Sequence, residues 1–409
     1  MDYVEQPERR GWERMVEGRR VVLGVTGGIA AYKAAALTRL LVQQGATVKV
    51  IMTENAKKFI TPLTMQTLSG HPVYGEMFSP WQPDELAHIS LADFAEILVI
   101  APATANVIGK IASGIADDLL TTTVLATKAA VLFCPAMNTN MLTNSTVQEN
   151  LEKLTARGYF LLAPDSGELA CKRWDVGRLP EREEIVEEIE TILTAKDLTG
   201  ERILITAGPT REPIDPVRFI TNYSSGKMGY ALAVMAKRRG AAVTLVSGPS
   251  SLPPPRGVDF IGVADACEMR EAVMGNYQQA TVIIKAAAVA DYRPAERAAT
   301  KIKKGPEKLT LNLERNPDII AELGEKKGKR LLIGFAMESE NLLKNAAGKL
   351  RAKKMDYIVA NLLTQAGAGF QSDTNVVTII GRDGTREELP LLGKLQVADR
   401  ILDKIRDRK

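Results

Sequence analysis

Residues 21–53 read VVLGVTGGIAAYKAAALTRLLVQQGATVKVIMT, and their pattern decides the fold. Val21 to Val25 is a short apolar run rich in β-branched residues, the composition of a strand buried on both faces. Glycines follow at Gly27 and Gly28. Ala30, Ala34, Leu37 and Leu41 then recur at helical spacing, with Lys33, Arg39, Gln43 and Gln44 elsewhere on the helix. Gly45 closes it as a C-cap glycine does, and VKVIM is the next strand. Strand, glycine turn, helix, strand is the opening of a doubly wound α/β domain.

The same pattern returns further on. ILITAGPT (203–210) leads through a longer loop into MGYALAVMAKRRGAAVTLVSGP (228–249), whose helix ends at Gly240. The echo predicts two doubly wound, Rossmann-like α/β domains, residues 1–195 and 196–409. Ile185, Ile189, Ile192 and Leu193 form a closing amphipathic helix, and Asp197 to Gly200 reads as the linker. Further strands are expected at EILVIAPAT (96–104), AVLFCPAMN (130–138), TVIIKAAAVAD (281–291), RLLIGFAME (330–338) and YIVANLL (357–363). Asp383-Gly384 marks a hairpin turn.

Composition narrows the function classes. The chain has 409 residues, 45% hydrophobic and 25% charged, which is ordinary for globular protein. No run approaches the roughly 20 apolar residues of a membrane span, and the polar N-terminus lacks the apolar core of a signal peptide. A net charge of +4, from 53 basic and 49 acidic residues, is too balanced for nucleic acid as the main partner. Three cysteines without a CxxC argue against a disulfide framework or structural zinc, and place the chain in the cytoplasm.

Polar residues gather at predicted strand ends, where ligands of open α/β sheets sit. GVTGGIAAYK is a glycine turn into a helix start, which suits an anion. It is not GxGxxG, and Thr53, not an acid, ends the second strand. That disfavours a dinucleotide and suits a mononucleotide phosphate. Thr104 and Asn106 in APATAN, and Asn138 in PAMN, are hydrogen-bonding groups that equally serve as turn or cap residues. His88 and His71 are the two histidines, and His88 is the better candidate for chemistry. Cys171 lies beside Lys172 and Arg173, a setting that lowers a thiol pKa.

GGIAAYK, KFITPLT, AHISLA, APATAN, PAMN and the SGELAC loop, in this order, resemble the flavin-dependent cysteine decarboxylases, specifically phosphopantothenoylcysteine decarboxylase, over residues 18–190. The resemblance implies FMN bound at Gly27, Gly28, Ile29, Ala30, Lys33, Thr53, Thr104 and Asn106. It implies an active-site histidine at His88, a carboxylate-gripping asparagine at Asn138 and an acid at Cys171 on a mobile loop. FMN would oxidise the CH2–SH group to a thioaldehyde, CO2 would leave, and a hydride and a proton would return. The chain departs from the family's usual ACGxxGxGRM. It reads ACKRWDVGRL, with Lys172 in place of a glycine.

In the second half, ITNYSSGKMG is an anion cradle or a capped helix start. KIKK (301–304) is a solvated face or a basic loop closing over a triphosphate. AGPTREPIDPVR, ITNYSSGKMG, AAVADYR, KIKK, ERNPDI, GFAME and ANLL resemble phosphopantothenate–cysteine ligase over residues 199–405. By that resemblance CTP is expected at Lys285, Ala286, Ala287, Asp291, Lys301, Asn316, Pro317, Phe335, Lys349 and Lys353. Asn222 and Lys301 would handle an acyl-cytidylate, with Mg2+ on the phosphates and its ligands unassigned. Lys285 is a charge in an apolar strand, so its ammonium is expected at the strand end.

The whole chain resembles a fusion of the two enzymes. Its substrates would be 4'-phosphopantothenate, cysteine, CTP and 4'-phosphopantothenoylcysteine, without membrane or nucleic acid. The resemblance further implies a homo-oligomer, a dodecamer of decarboxylase trimers and ligase dimers. A flavin-binding regulatory protein with only the ligase half active is the rival reading. A Rossmann dehydrogenase is disfavoured by the absent GxGxxG.

Overall fold

The computed structural model describes residues 16–77, 86–168, 174–303, 309–338, 342–362, 369 and 372–408. The chain divides into two compact units, one spanning Arg14–Thr194 and the other containing Ala195–Lys409.

In the first unit, β1 (Arg20–Val25), β2 (Thr47–Met52), β3 (Val73–Tyr74), β4 (Ile97–Ala103), β5 (Ala130–Pro135) and β6 (Phe160–Leu161) form a sheet in the order β3-β2-β1-β4-β5-β6. Every pairing is parallel. Alternate side chains of β1 feed opposite cores. Val21, Leu23 and Val25 pack with Ala34, Leu37 and Leu41 of helix Ala31–Gln43 and with Ile185 and Ile189 of helix Arg182–Leu193. Val22 faces the other layer, with Leu98, Ile100 and Phe133 against helices Ala87–Phe94, Ala105–Ser113 and Leu119–Ala126. Both faces are covered, so the strands read as continuous apolar runs.

The second unit repeats the plan. The strands run Asp259–Gly262, Ala242–Ser247, Arg202–Ala207, Val282–Lys285, Leu331–Glu338 and Tyr357–Leu362 in parallel, extended antiparallel by Thr378–Gly381 and Arg386–Glu388. Gly384 takes φ 91° in the hairpin turn. The strand expected over 281–291 is shorter: it ends at Lys285. Ala286 N and Ala287 N still bond Thr206, but Ala288 N turns to Gly208 O, and the chain leaves the sheet at the cavity described below.

The turn Asp197–Gly200 is not a free linker. Leu198 is fully buried, and Arg239, only 4% exposed, pairs with Asp197 at 2.6 Å, Asp399 at 2.9 Å and Asp403 at 3.0 Å. Burial opposes the Arg239 charge, but these carboxylates outweigh it and raise its pKa. The cluster ties the chain after residue 195 to the end of helix Lys227–Arg238 and to helix Lys394–Arg406. Arg239→Met removes the one cation shared by three acids. It is expected to destabilise the second unit by about 3–5 kcal/mol, the usual cost of breaking a buried pair, measured as a lowered urea midpoint.

Candidate functional sites

The first unit has a cavity of about 1100 Å³ at the carboxyl ends of β1, β2, β4 and β5. It lies where the strand order reverses, between β1 and β4, the usual ligand position in such sheets. Thr26, which sequence reading passed over, clasps the two strands there. It is fully buried, its Oγ1 donates to Pro102 O at 2.7 Å, and Thr104 N donates to that oxygen at 3.2 Å.

Gly27, Gly28, Ile29 and Ala30 line the cavity and lead into helix Ala31–Gln43. Ala30 caps that helix with no side-chain hydrogen bond, so its first turn faces the cavity without an internal acceptor from a side chain. The two glycines serve different ends. A Cβ on Gly27 would stand 2.3 Å from Asn55 Cβ, so glycine is required by the chain's own packing. A Cβ on Gly28 would meet nothing nearer than Thr104 Cγ2 at 3.5 Å and would occupy cavity space.

Thr53, Thr104, Asn106 and Asn138 reach the same cavity. Thr104 is an N-cap residue that makes no side-chain cap bond. Asn138 Oδ1 accepts from Asn140 N at 2.9 Å and so caps the short helix that follows. Lys33 also lines the cavity, with its Nζ 3.3 Å from Leu179 O and 3.2 Å from Glu181 Oε1. Charged lining residues that were not foreseen include Glu54, Lys110 and Asp118. Lys110 pairs with Asp117 at 2.7 Å and Asp118 at 3.4 Å, and Asp118 caps helix Leu119–Ala126 in a capping box with Thr121. The signal was present as GIADDLLT, an acid three residues before a threonine.

His88 stands apart. It sits on helix Ala87–Phe94 and is not a lining residue of the cavity. Its Nδ1 is buried without a hydrogen-bond partner among the described residues. Cys171, with Lys172 and Arg173, lies outside the described residues. The strands on either side of it, Asp165–Glu168 and Trp174–Arg178, pair antiparallel. This hairpin is stitched to the Asn138 loop: Met137 N donates to Gly177 O at 3.0 Å and Thr139 Oγ1 to Val176 O at 2.7 Å. Gly177 has φ 139°, and a Cβ there would fall 2.1 Å from Met137 O.

In the second unit two cavities, of about 370 Å³ and about 230 Å³, share Lys285 and Val289. The larger holds Asp291, Asn316, Pro317 and Lys353. The smaller holds Ala286, Ala287, Phe335 and the start of helix Lys227–Arg238. Lys285 Nζ passes the strand end and donates to Ala287 O at 2.9 Å. Burial, helped by Lys353, brings its pKa down to about 8. Lys353 pairs with Asp318 at 2.8 Å. Lys353 N donates to Lys349 O at 3.0 Å, one helical turn back, and of the two only Lys353 lines a cavity.

Asn316 contributes shape more than free polar groups. Its Oδ1 accepts from Arg293 Nη1 at 3.1 Å and its Nδ2 donates to Ala290 O at 2.8 Å. Asn222 Nδ2 donates to Ala288 O at 2.7 Å, while its Oδ1 accepts from Ser224 N, which ties the NYSSGK loop to the chain leaving the central strand. Lys301 lines neither cavity, but its loop is anchored. Asp215, buried, accepts from Ile302 N at 3.1 Å and from the Arg218 guanidinium, which holds its carboxyl well below the usual range. Lys304 lies outside the described residues. Among those described, no cluster of three or more histidine, cysteine or acidic residues is arranged to hold a metal, and no helix is long and apolar enough to cross a membrane.

Two doubly wound units, each with its own strand-end cavity, define a two-site α/β protein, and comparison gives its class. The family described as Flavoprotein matches residues 10–194, and the DNA/pantothenate metabolism flavoprotein C-terminal domain matches residues 198–408. The coenzyme A biosynthesis bifunctional protein CoaBC of Bacillus subtilis (strain 168) is 51% identical over 395 residues, 96% of this chain and 97% of its own length. Its namesake from Escherichia coli (strain K12) is 46% identical over 393 residues, 95% of this chain and 97% of its own. A crystal structure of the C-terminal domain of such a protein is 49% identical, covering 52% of this chain and 98% of that one at a TM-score of 0.46. The chain belongs to the family of bifunctional coenzyme A biosynthesis proteins.

The glycine contrast is testable. Gly27→Ala forces a clash with Asn55 and should cost about 1–3 kcal/mol of stability. Gly28→Ala should leave the melting temperature of the flavin-stripped protein unchanged while lowering bound flavin per chain, read by absorbance.

Proposed function

We propose that the first unit decarboxylates 4'-phosphopantothenoylcysteine with FMN, and that the second makes this compound from 4'-phosphopantothenate, cysteine and CTP. As a member of its family the chain is a bifunctional enzyme of coenzyme A biosynthesis. The observation that carries the finer reading is the first cavity: eight residues assigned to FMN by resemblance, from Gly27 to Asn106, all line it, and Asn138 joins them.

These residues fit a flavin mononucleotide. The uncapped helix start and the Gly27–Ala30 backbone suit its phosphate, and the Thr53, Thr104 and Asn106 side chains offer hydrogen bonds to a polar ring. When bound, FMN supplies the reversible two-electron oxidation that makes loss of CO2 feasible. The chain's own residues then orient and protonate. Asn138, beside the cavity, holds the substrate carboxylate. Cys171, on the segment joining the hairpin strands, donates the proton that completes the product. The bonds from Gly177 and Val176 to the Asn138 loop seat that hairpin at the cavity edge. His88 is kept as a catalytic candidate on its unpartnered Nδ1.

In the second unit the carboxylate of phosphopantothenate attacks the α-phosphate of CTP, pyrophosphate leaves, and the cysteine amine then displaces CMP. Lys285 and Lys353 supply positive charge at the cavity wall, where it stabilises the phosphorus centre under attack. Lys301 approaches on the loop anchored by Asp215, and Asn222 positions the activated acyl group. With no acidic cluster among the described residues, Mg2+ is expected to arrive with the triphosphate, whose oxygens supply its ligands. Ile29, Tyr32 and Met141 line the first cavity while 62%, 60% and 49% exposed. This supports a homo-oligomer that covers the cavity mouth, within the proposed dodecamer of trimers and dimers.

Purified protein should hold flavin and release CO2 from synthetic phosphopantothenoylcysteine. Flavin without CO2 would favour the rival reading, in which the altered ACKRW loop leaves a flavin-binding scaffold fused to an active ligase. Cys171→Ser should stall before product forms; normal turnover would remove Cys171 from the mechanism.

A pH test addresses the second site. Lys285 is protonated below about 8 and neutral above it, so CTP binding should weaken as pH rises from about 7 to about 9. Lys285→Met should bind weakly throughout and flatten that dependence, measured by calorimetric titration.

A further inference from the structure

The smaller cavity of the second unit contains a cation that no motif announces. Lys394 is the first residue of helix Lys394–Arg406 and lines this cavity. It is only 7% exposed. Its Nζ donates to Gly369 O at 3.2 Å and to Ser372 O. An ammonium carries three donors, and among the described residues these two carbonyls are its acceptors. Among the described residues no carboxylate pairs with it. The neighbouring acid, Asp373, is engaged by Lys227 at 2.5 Å. Burial, with Lys227 nearby, draws the Lys394 ammonium down to about 8.

The placement is built by the fold. Helices Lys227–Arg238 and Lys394–Arg406 both begin at this cavity. They pack side by side, locked by Arg239 on Asp399 and Asp403. Gly226, ahead of the first helix, takes φ 81° and provides no side-chain cap. Two helix starts and three lysines, Lys227, Lys285 and Lys394, therefore face one small space that a neutral ligand would not need. Asp373 opposes the fall in the Lys394 pKa, but it is already paired with Lys227. A buried cation that only shares its counter-ion is costly to keep, and an anionic ligand lowers that cost.

We propose that Lys394 is a substrate-holding residue of the ligase, whose remaining N–H bonds a phosphate oxygen of the substrate seated in the smaller cavity. The inference rests on the ligase reading of this unit. The phosphate is either that of the nucleotide or the monoester of phosphopantothenate, which share the same oxyanion chemistry.

The test uses the full chain with Lys394→Met and Lys394→Gln, the latter keeping a donor for the carbonyls without the charge. Ligase kinetics are measured with CTP, phosphopantothenate and cysteine varied in turn, and with pantothenate in place of phosphopantothenate. Both variants should raise the KM of one phosphate-bearing substrate roughly ten-fold to hundred-fold, as loss of a charged hydrogen bond does, with the cysteine KM unchanged. A rise confined to CTP assigns the nucleotide phosphate. A rise for phosphopantothenate, with reduced preference over pantothenate, assigns the monoester. If the KM values stay at wild-type level and only kcat or melting temperature falls, Lys394 merely ties the Gly369–Ser372 carbonyls and the proposal is overturned. Where Lys394→Met melts below assay temperature, the Lys394→Gln result decides. A wild-type chain without ligase turnover would instead sink the reading of the unit.

Discussion

A parallel strand buried on both faces can present chemistry only at its ends, and in both units the cavities lie at the carboxyl ends. In the first, β1 and β4 separate at the point where strand order reverses, and Thr26 holds their ends by bonding Pro102 O and Thr104 N. In the second, the chain leaves the sheet at Lys285 and runs along two joined cavities. Strand ends and helix starts meet at these places because each crossover returns the chain to the same edge. The first amides of a helix lack partners within it, which makes these places suited to an anion.

The two cavities meet this demand with different chemistry. The first is walled by glycine backbone, hydroxyls and carboxamides, and its cations are already paired: Lys33 and Arg178 with Glu181, and Lys110 with Asp117. That suits a cofactor that stays bound and whose ring must not be polarised by a bare charge. The second is walled by lysines kept under strain by burial, with Lys285 and Lys394 each brought down to about 8. That suits a polyanion that enters, reacts and leaves, because the charge gains its full partner only while the ligand is present.

Both sites also depend on loops tethered from a distance. Gly177 allows the hairpin to approach within hydrogen-bonding reach of Met137, which any side chain would block. Asp215 accepts from Ile302 N and Arg218 donates to Ile302 O, so the two grip one residue of the Lys301 loop. In each case a segment assigned to chemistry is anchored by hydrogen bonds to its backbone, at Val176 and Gly177 in one unit and at Ile302 in the other.

Much of this was legible in the sequence. Apolar runs with β-branched residues gave the strands, helical spacing ending in Gly45 and Gly240 gave the crossovers, and motif order pointed to the family. Local pattern suffices there because strand and helix periodicity are properties of neighbouring residues. The tertiary structure decided what depends on distant residues meeting. It brought Lys394 from the last helix into a cavity lined by Ser224 to Lys227, and placed Lys110 and Asp118 in the wall of the cavity that Gly28 lines. Of Lys349 and Lys353 it put only Lys353 in a cavity wall, and it set His88 off the cavity lining. No spacing rule encodes these outcomes, since which side chains share a cavity is fixed by how layers pack, and packing is a property of the whole chain.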